Sequence, residues 1–426
     1  MRYVLIGAFL ILALALASCA EQDIEEYESV PPYQSAIDNE SAQPYHGEID
    51  REPESPHQNA RLLEDVDYLF YILENNFPLL NAAQRTHGID VAELKENTRQ
   101  AVKSRQFRSD AIFKHVLERE FFRHFGGFGH LFTLDNSMYH LHLAIGGVWE
   151  EVLDNPASKN FYGSPPDWLE EGAYYFVVEN NISIDNIEQG RIARISIGSF
   201  SHGNIEHDRE LVQLFLQDIA DYEHLIIDIR GNGGGSSFYF TQVFMQYLID
   251  APLLYRSYIF AMDGEHARRF YMDSPTPSSS LIFAPTPEGF FDRFLYFNTD
   301  DAHLLAYHFY SENIIQPAEN RVGFDGKIWL LIDGRNFSAA DYVATITQQT
   351  GFATIVGTPT GGAGIGGQPI VLALPNTGIA VRFQGMYSVN HLGRNGYEFT
   401  TQPDIPNREG MDALQTVLAL IEEGVY

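Results

Sequence analysis

Cysteine is almost missing from this chain: of 426 residues only one, Cys19, is a cysteine. No disulfide can form within the chain, so a folded state has to rest on its apolar core. Basic residues are scarce as well. The 27 Lys and Arg stand against 57 Asp and Glu, a formal charge of −30, which argues against nucleic acid and anionic lipid surfaces as charge-matched partners. Neither a Gly-Lys-Ser/Thr phosphate loop nor a His-Glu-x-x-His zinc helix occurs, and the residues suggest no nucleotide, metal or other cofactor. The apolar run at 4–16 is too short for a comfortable membrane span.

What is present begins with that run. Arg2 precedes it and Ala17-Ser18-Cys19 follows, the shape of a secretory signal. Leu16-Ala17-Ser18-Cys19 resembles a bacterial lipobox, in which the cysteine is lipidated and becomes the mature N-terminus. Residues 1–18 are therefore expected to be a lipoprotein signal peptide and Cys19 the lipidation site. Residues 20–56 carry 11 Asp or Glu, one Arg and prolines at 31, 32, 44, 53 and 56. Such a segment cannot bury enough apolar surface to offset its ordering entropy. An acidic, disordered tether is expected over 19–56. The expected product is exported to the bacterial cell envelope and held by lipid on the outer membrane or on a periplasmic or extracellular face.

Apolar content of 45% suits a sizeable core beyond the tether. Leu62, Val66, Leu69 and Leu73 recur at helical spacing before Pro78, and further helical patterns cover 91–104 and 110–122. A small helical region is expected at 57–125. Gly126-Gly127-Phe128-Gly129 then presents His130 at the start of a strand. Strand-like pieces follow at 141–145 and 174–178, and His140 and His142 are expected on one strand face. From Arg191 strands and helices alternate: strands at 192–197, 225–229, 328–332 and 353–356, helices at 206–222, 238–249 and 339–350. That alternation predicts an α/β core with a largely parallel sheet over 126–426. An aromatic-rich insertion interrupts it at about 251–325. Residues 370–374 and 379–383 flank Pro375-Asn376-Thr377-Gly378 as a hairpin, and a helix closes the chain at 411–422.

Two turns stand out. In Gly334-Arg335-Asn336-Phe337-Ser338-Ala339-Ala340-Asp341, Ser338 sits where a strand ends and a helix begins. A hydroxyl there lies at the positive end of a helix dipole beside backbone N–H groups, a good place for a nucleophile. Ser338 followed by Asp341 also fits a capping box, the commoner use of such a serine. Asp228-Ile229-Arg230-Gly231-Asn232-Gly233-Gly234-Gly235-Ser236 is the second turn. It begins like a dinucleotide loop, but Ser236 stands where the third glycine is needed. An oxyanion hole or a plain tight turn would use the same glycines.

Three segments in this order resemble the tail-specific (C-terminal processing) serine protease family, the group that includes the tricorn core. Residues 225–236 resemble its strand and Asp-hydrophobic-Arg-Gly-Asn-x-Gly-Gly turn. Residues 328–340 resemble the strand leading to a nucleophile in a Ser-Ala motif, and 353–364 the strand and glycine loop that follow. Pro403-Asp404-Ile405 and the last helix fit as well. Many members place a lysine in that glycine loop; the matching residue here is Ala363. No segment resembles the PDZ domain that many members insert. The tricorn-like branch uses an upstream histidine and a late glutamate, which match His130 and Glu398, although Phe128 replaces an acidic residue usual before that histidine.

The resemblance implies a small helical region followed by an α/β core with a largely parallel, ClpP/crotonase-like sheet. It implies a serine endopeptidase acting on peptides or unfolded proteins without a cofactor. Ser338 would be the nucleophile, His130 the base and Glu398 the orienting acid, with Gly233, Gly234 and Ala339 supplying the oxyanion hole. Asp341 would cap the nucleophile helix, and Asp228 with Arg230 would brace the glycine turn. Two other readings stand beside this one: a non-catalytic peptide-binding relative, and an esterase-like hydrolase, which the lack of a Gly-x-Ser-x-Gly elbow at Ser338 disfavours.

Overall fold

The computed structural model describes residues 56–170, 177–273, 282–364 and 366–425. The expected signal peptide, Cys19 and the tether up to residue 55 lie outside them, as does most of the strand expected at 174–178.

The first described helix, Pro56–Asn76, forms as its periodicity predicts. Leu62, Val66, Leu69 and Leu73 fall on one face, and all four are buried. Pro78 lacks an N–H and clashes with the preceding turn, so the helix ends before it. Helices Leu80–His87, Val91–Lys103 and Asp110–Glu120 follow, the last two capped by Asp90 and Ser109. The four share one apolar cluster, in which Phe121 meets Phe70 at 5.0 Å and Phe125 at 5.2 Å. The same apolar cluster continues into strands of the downstream chain, including Phe260, Ile370 and Phe383.

Strand β1 (Phe132–Thr133) is short and follows His130. The next element corrects the sequence reading: residues Asn136–Ile145 are a helix, not a strand. Asp135 caps it by accepting from the Met138 N–H at 2.8 Å. His140 and His142 are thus buried helix residues, and His142 Nδ1 lies 2.6 Å from Met138 O one turn back.

Strands β2 (Ile182–Glu188), β3 (Ile192–Ile197) and β4 (His224–Asp228) open the α/β core. Next in chain order are β5 (Leu253–Ala261), β6 (Ala284–Pro285) and β7 (Tyr307–Ile315) of the insertion. Then come β8 (Lys327–Ile332) and β9 (Thr354–Gly357), the hairpin strands β10 (Ile370–Ala373) and β11 (Ala380–Phe383), β12 (Met386–Asn390) and β13 (Ile405–Pro406). The central sheet runs β13-β9-β8-β4-β3-β2. All its neighbours are parallel except β2, which lies antiparallel on β3 at the edge.

Side-chain alternation explains why both faces of this sheet are covered. Leu225, Ile227, Leu330 and Ile332 point to one face, where helices Ile205–Asp218 and Ala339–Thr350 pack. Ile226, Trp329, Leu331 and Val356 point to the other, against the last helix, Ala413–Glu423. In register, Asp228 lies beside Leu331 and Leu331 beside Val356, so the carboxyl ends of β4, β8 and β9 open on one edge. Ligands of such sheets bind at that edge.

The insertion strands β5, β7 and β6 join β12 in an antiparallel sheet ordered β12-β5-β7-β6. Phe290, Phe291, Phe294 and Phe297 of the insertion gather around Phe260 of β5. The third sheet, β1-β11-β10, contains the predicted hairpin. Buried Asp65 accepts from the Asn376 N–H at 2.8 Å and the Thr377 N–H at 2.9 Å, tying the hairpin turn to the first helix.

Candidate active site

Ser338 follows β8 at the turn into helix Ala339–Thr350. Its backbone is in an unusual state for a non-glycine residue, with φ +56° and ψ −123°. A non-glycine residue at positive φ persists only where the surroundings over-determine it. Here the Ser338 N–H is tied to Gly362 O at 3.0 Å. The hydroxyl makes no capping bond to its own helix. The capping-box expectation therefore fails at both ends. Asp341 is buried and turned away, accepting from the Gly364 N–H at 2.8 Å, from the Thr401 N–H at 3.3 Å and from the Thr360 hydroxyl. Burial raises its pKa. Asp341 is a staple between the nucleophile helix and the loop after β9, not a cap.

The glycine turn after β4 is stitched to the Ser338 turn. Asn336 Nδ2 donates to Ile229 O and, at 3.2 Å, to Asn232 O. Gly231 N–H donates to Asp333 Oδ1 at 3.0 Å. Arg230 forks onto Asp228 at 2.8 and 2.7 Å and reaches Asp412 of the last helix at 3.1 Å, the bracing role expected of that pair. Gly234, at φ +103°, comes so close that a Cβ there would sit 2.6 Å from Phe337 O, 2.8 Å from Ala339 N and 3.0 Å from Ser338 Cβ. Its own N–H is spent on Asn232 Oδ1 at 2.8 Å. Of the three expected oxyanion donors, Gly234 is thus a spacer whose N–H is already taken, while Ala339 begins the helix directly after the serine.

His130 arrives from 208 positions upstream, its Nε2 standing 3.2 Å from Ser338 Oγ. The turn that delivers it needs its glycines: at Gly129 (φ +64°) a Cβ would lie 2.3 Å from the Phe77 ring. His130 itself adopts φ +52°. Gln384 N–H donates to Gly129 O at 2.7 Å, and β1 pairs with β11 two residues on, fixing the turn. The imidazole leans on the Phe337 ring, centroids 5.0 Å apart. Burial, helped by the positive charge of Arg382, depresses the His130 pKa to about 3. The ring is neutral at pH 7.

Glu398 is not on His130, which corrects the expected triad. Its carboxylate takes Arg85 Nε at 2.7 Å and Nη2 at 2.9 Å and lies 3.4 Å from the Tyr387 hydroxyl. Arg85 also holds the buried Asp301 at 2.6 and 3.2 Å. The charge has found a guanidinium, which a carboxylate prefers to a neutral ring. Its neighbour faces the histidine instead: Tyr397 Oη is 2.6 Å from His130 Nδ1. Phe128, at the place of an acidic residue in many relatives, packs on Tyr397 at 5.1 Å. Ala363, at the place of the family lysine, is buried at φ +69° and brings no amine. Among the described residues no group of three or more His, Cys, Asp or Glu side chains is gathered to hold a metal ion.

Sequence reasoning missed Tyr397, Arg85 and Asn336. The first two carry no motif. Asn336 lies inside the serine turn and could have been suspected from an amide that has to be satisfied next to a buried strand end.

The model of peptidase family S41 matches residues 191–406, just over half of the chain. The chain belongs to peptidase family S41. No curated protein matches it. Among solved structures, the S41 chain here is similar in fold to a putative peptidase from Parabacteroides merdae, with 16% identity, TM-score 0.51 and coverage of 88% of this chain and 98% of that one. Mature CPAF is similar at 14% identity and TM-score 0.52, covering 86% and 96%. CPAF complexed with lactacystin gives TM-score 0.50 at 14% identity, covering 86% and 97%. As a member of S41 the chain is a serine peptidase with peptide or protein substrates.

Proposed function

We propose that this S41 chain is an exported, lipid-anchored serine endopeptidase in which Ser338 attacks the peptide carbonyl and His130 is the general base. The 3.2 Å approach of Nε2 to Oγ carries this reading. Nucleophile and base within hydrogen-bond reach are what acyl transfer needs. His130 Nε2 takes the serine proton as the Oγ–C bond forms. The oxyanion rests on the Ala339 and Gly233 N–H groups, at the positive end of the helix that Ser338 precedes. The proton then goes to the leaving amine as the C–N bond breaks, and water repeats the sequence to release the acyl group. A buried imidazolium is costly, which favours rapid proton hand-over.

The chain beginning at Cys19 is expected to cleave unstructured peptides, and Ser338→Ala to abolish turnover while leaving the fold unchanged. Equal turnover by the alanine variant would overturn the reading. Glu398 held by Arg85, with no carboxylate on His130, gives a second reading some footing: a peptide-binding relative without hydrolysis. Saturable peptide binding by the wild type with no cleavage would favour it. Lipidation is tested separately: Cys19→Ala should move the protein from the membrane fraction to the soluble one.

A further inference from the structure

We infer that Tyr397 is the positioning residue for His130, standing at Nδ1 where a Ser–His–acid triad has its carboxylate. The inference rests on the Ser338–His130 reading above.

Nδ1 of His130 has one close side-chain partner, the Tyr397 hydroxyl at 2.6 Å. That tyrosine is built in. Its ring packs on Phe128 at 5.1 Å and stands edge-on to the imidazole at 6.1 Å. Its N–H donates to Asn395 Oδ1 at 2.9 Å, and Asn395 Nδ2 donates to Ser388 O of β12 at 3.0 Å. From the other side Arg85 fixes Glu398, so the segment cannot turn to exchange the two side chains without giving up an ion pair. Burial raises the Tyr397 pKa above its ordinary value, and the group stays a neutral phenol.

The tautomer decides whether this contact helps. A histidine ring with one proton has one donor and one acceptor nitrogen. For Nε2 to accept the Ser338 proton, the ring proton must sit on Nδ1 and donate to Tyr397 Oη. If the phenol donated to Nδ1 instead, Nε2 would carry the hydrogen and could take nothing from the serine. With Tyr397 as acceptor the ring is in its working tautomer, and the 2.6 Å contact holds the ring plane toward Oγ. When Nε2 takes the serine proton, Nδ1 keeps its own and Tyr397 gains none; the phenol oxygen faces the new cation as a dipole. This arrangement gives the imidazolium less support than a carboxylate would. It also leaves Glu398 a structural partner of Arg85.

The test compares Tyr397→Phe with Glu398→Gln in the chain beginning at Cys19, using a fluorogenic unstructured peptide from pH 5 to 9 and nitrogen-15 NMR of the histidines. Phenylalanine keeps the ring and removes only the oxygen. Tyr397→Phe should lower kcat by about 10–100-fold, by analogy with the loss of the partner that orients a metal-bound imidazole, with KM within about twofold. Glu398→Gln should change kcat by less than about threefold. In the wild type His130 should show a protonated Nδ1 and a bare Nε2; in Tyr397→Phe the proton should move to Nε2. A Tyr397→Phe enzyme with wild-type kcat overturns the inference, and so does a larger kcat loss in Glu398→Gln. A wild-type His130 with its proton on Nε2 overturns it without any turnover assay. Should the wild type cleave nothing, the peptidase reading fails on its own, and the tautomer in the two proteins still decides the role of Tyr397.

Discussion

The two sides of the active site are built differently. The serine side consists of strand ends and turns of one parallel sheet, close in sequence to what they follow: β4 with its glycine turn, and β8 with Ser338 and its helix. The histidine side is assembled from remote pieces, namely the turn at 126–130, the loop after β12, Arg85 from the helical region and Asp301 from the insertion. On the first side, backbone geometry does the positioning. On the second, side chains choose partners by charge and burial, and the choice between neighbours such as Tyr397 and Glu398 is made by tertiary contacts alone.

The comparison breaks first if His130 is dispensable. His130→Ala should reduce kcat by about a thousandfold, within the range general-base catalysis supplies, with a near-native thermal midpoint. A variant that keeps more than a tenth of wild-type kcat would mean that another group takes the proton. On the serine side the matching change is Gly234→Ala. Its Cβ would meet Phe337 O and Ala339 N at 2.6 and 2.8 Å in a backbone state that disfavours a side chain. Displacing the Ala339 N–H from the carbonyl oxygen should cost about 100-fold in kcat, as for loss of one oxyanion donor. Unchanged kinetics in that variant would show that the glycine turn does not shape the site.

The same contrast sets what could be read from the sequence. The alternation after Arg191 predicted the parallel core, and the helix from Ala339 to Thr350 lies where its small and apolar residues put it. Ser338 was legible as a strand–helix junction, but not as a residue at positive φ whose hydroxyl meets His130 instead of capping its helix. The strand expected at 141–145 went wrong because Tyr139-His140-Leu141-His142-Leu143 alternates like a strand, while the Asp135 cap and burial on a helical face decided otherwise. Glu398 went wrong for a different cause. The histidine is met by Tyr397, the residue next to Glu398, while Arg85, 313 positions away, holds the carboxylate.

Arg85 sharpens the comparison from the stability side. It is the one cation paired here with both Asp301, whose side chain is wholly buried, and Glu398. Arg85→Gln leaves those carboxylates without their partner. Removing one member of a buried pair typically costs 3–5 kcal/mol. Because the arginine side chain is itself 29% exposed, solvent screens part of the loss, and about 3 kcal/mol is expected in urea unfolding. A loss below about 1 kcal/mol would place the pair among surface bridges.

The last effect separates stability from catalysis by pH. Both His130 and His142 are depressed by burial, to about 3 and about 4 from 6.5. Below pH 6.5 the unfolded chain therefore binds protons that the folded chain refuses, and stability falls as pH drops toward about 4. Each such group contributes up to about 1.4 kcal/mol per pH unit. Asp341, raised by burial, acts with the opposite sign at the acid end, where the folded state holds its proton first. Because His130 stays neutral, kcat/KM should show no acid limb near pH 6.5 while the urea midpoint is already falling. His142 touches neither Ser338 nor His130 but packs on Trp149 at 4.6 Å. His142→Gln should reduce the slope of the stability profile between pH 6.5 and 4.5 by up to about 1.4 kcal/mol per pH unit and leave the kinetic profile in place. If it moves the kinetic profile as well, or if kcat/KM falls near pH 6.5, the buried neutral histidine is not what takes the serine proton.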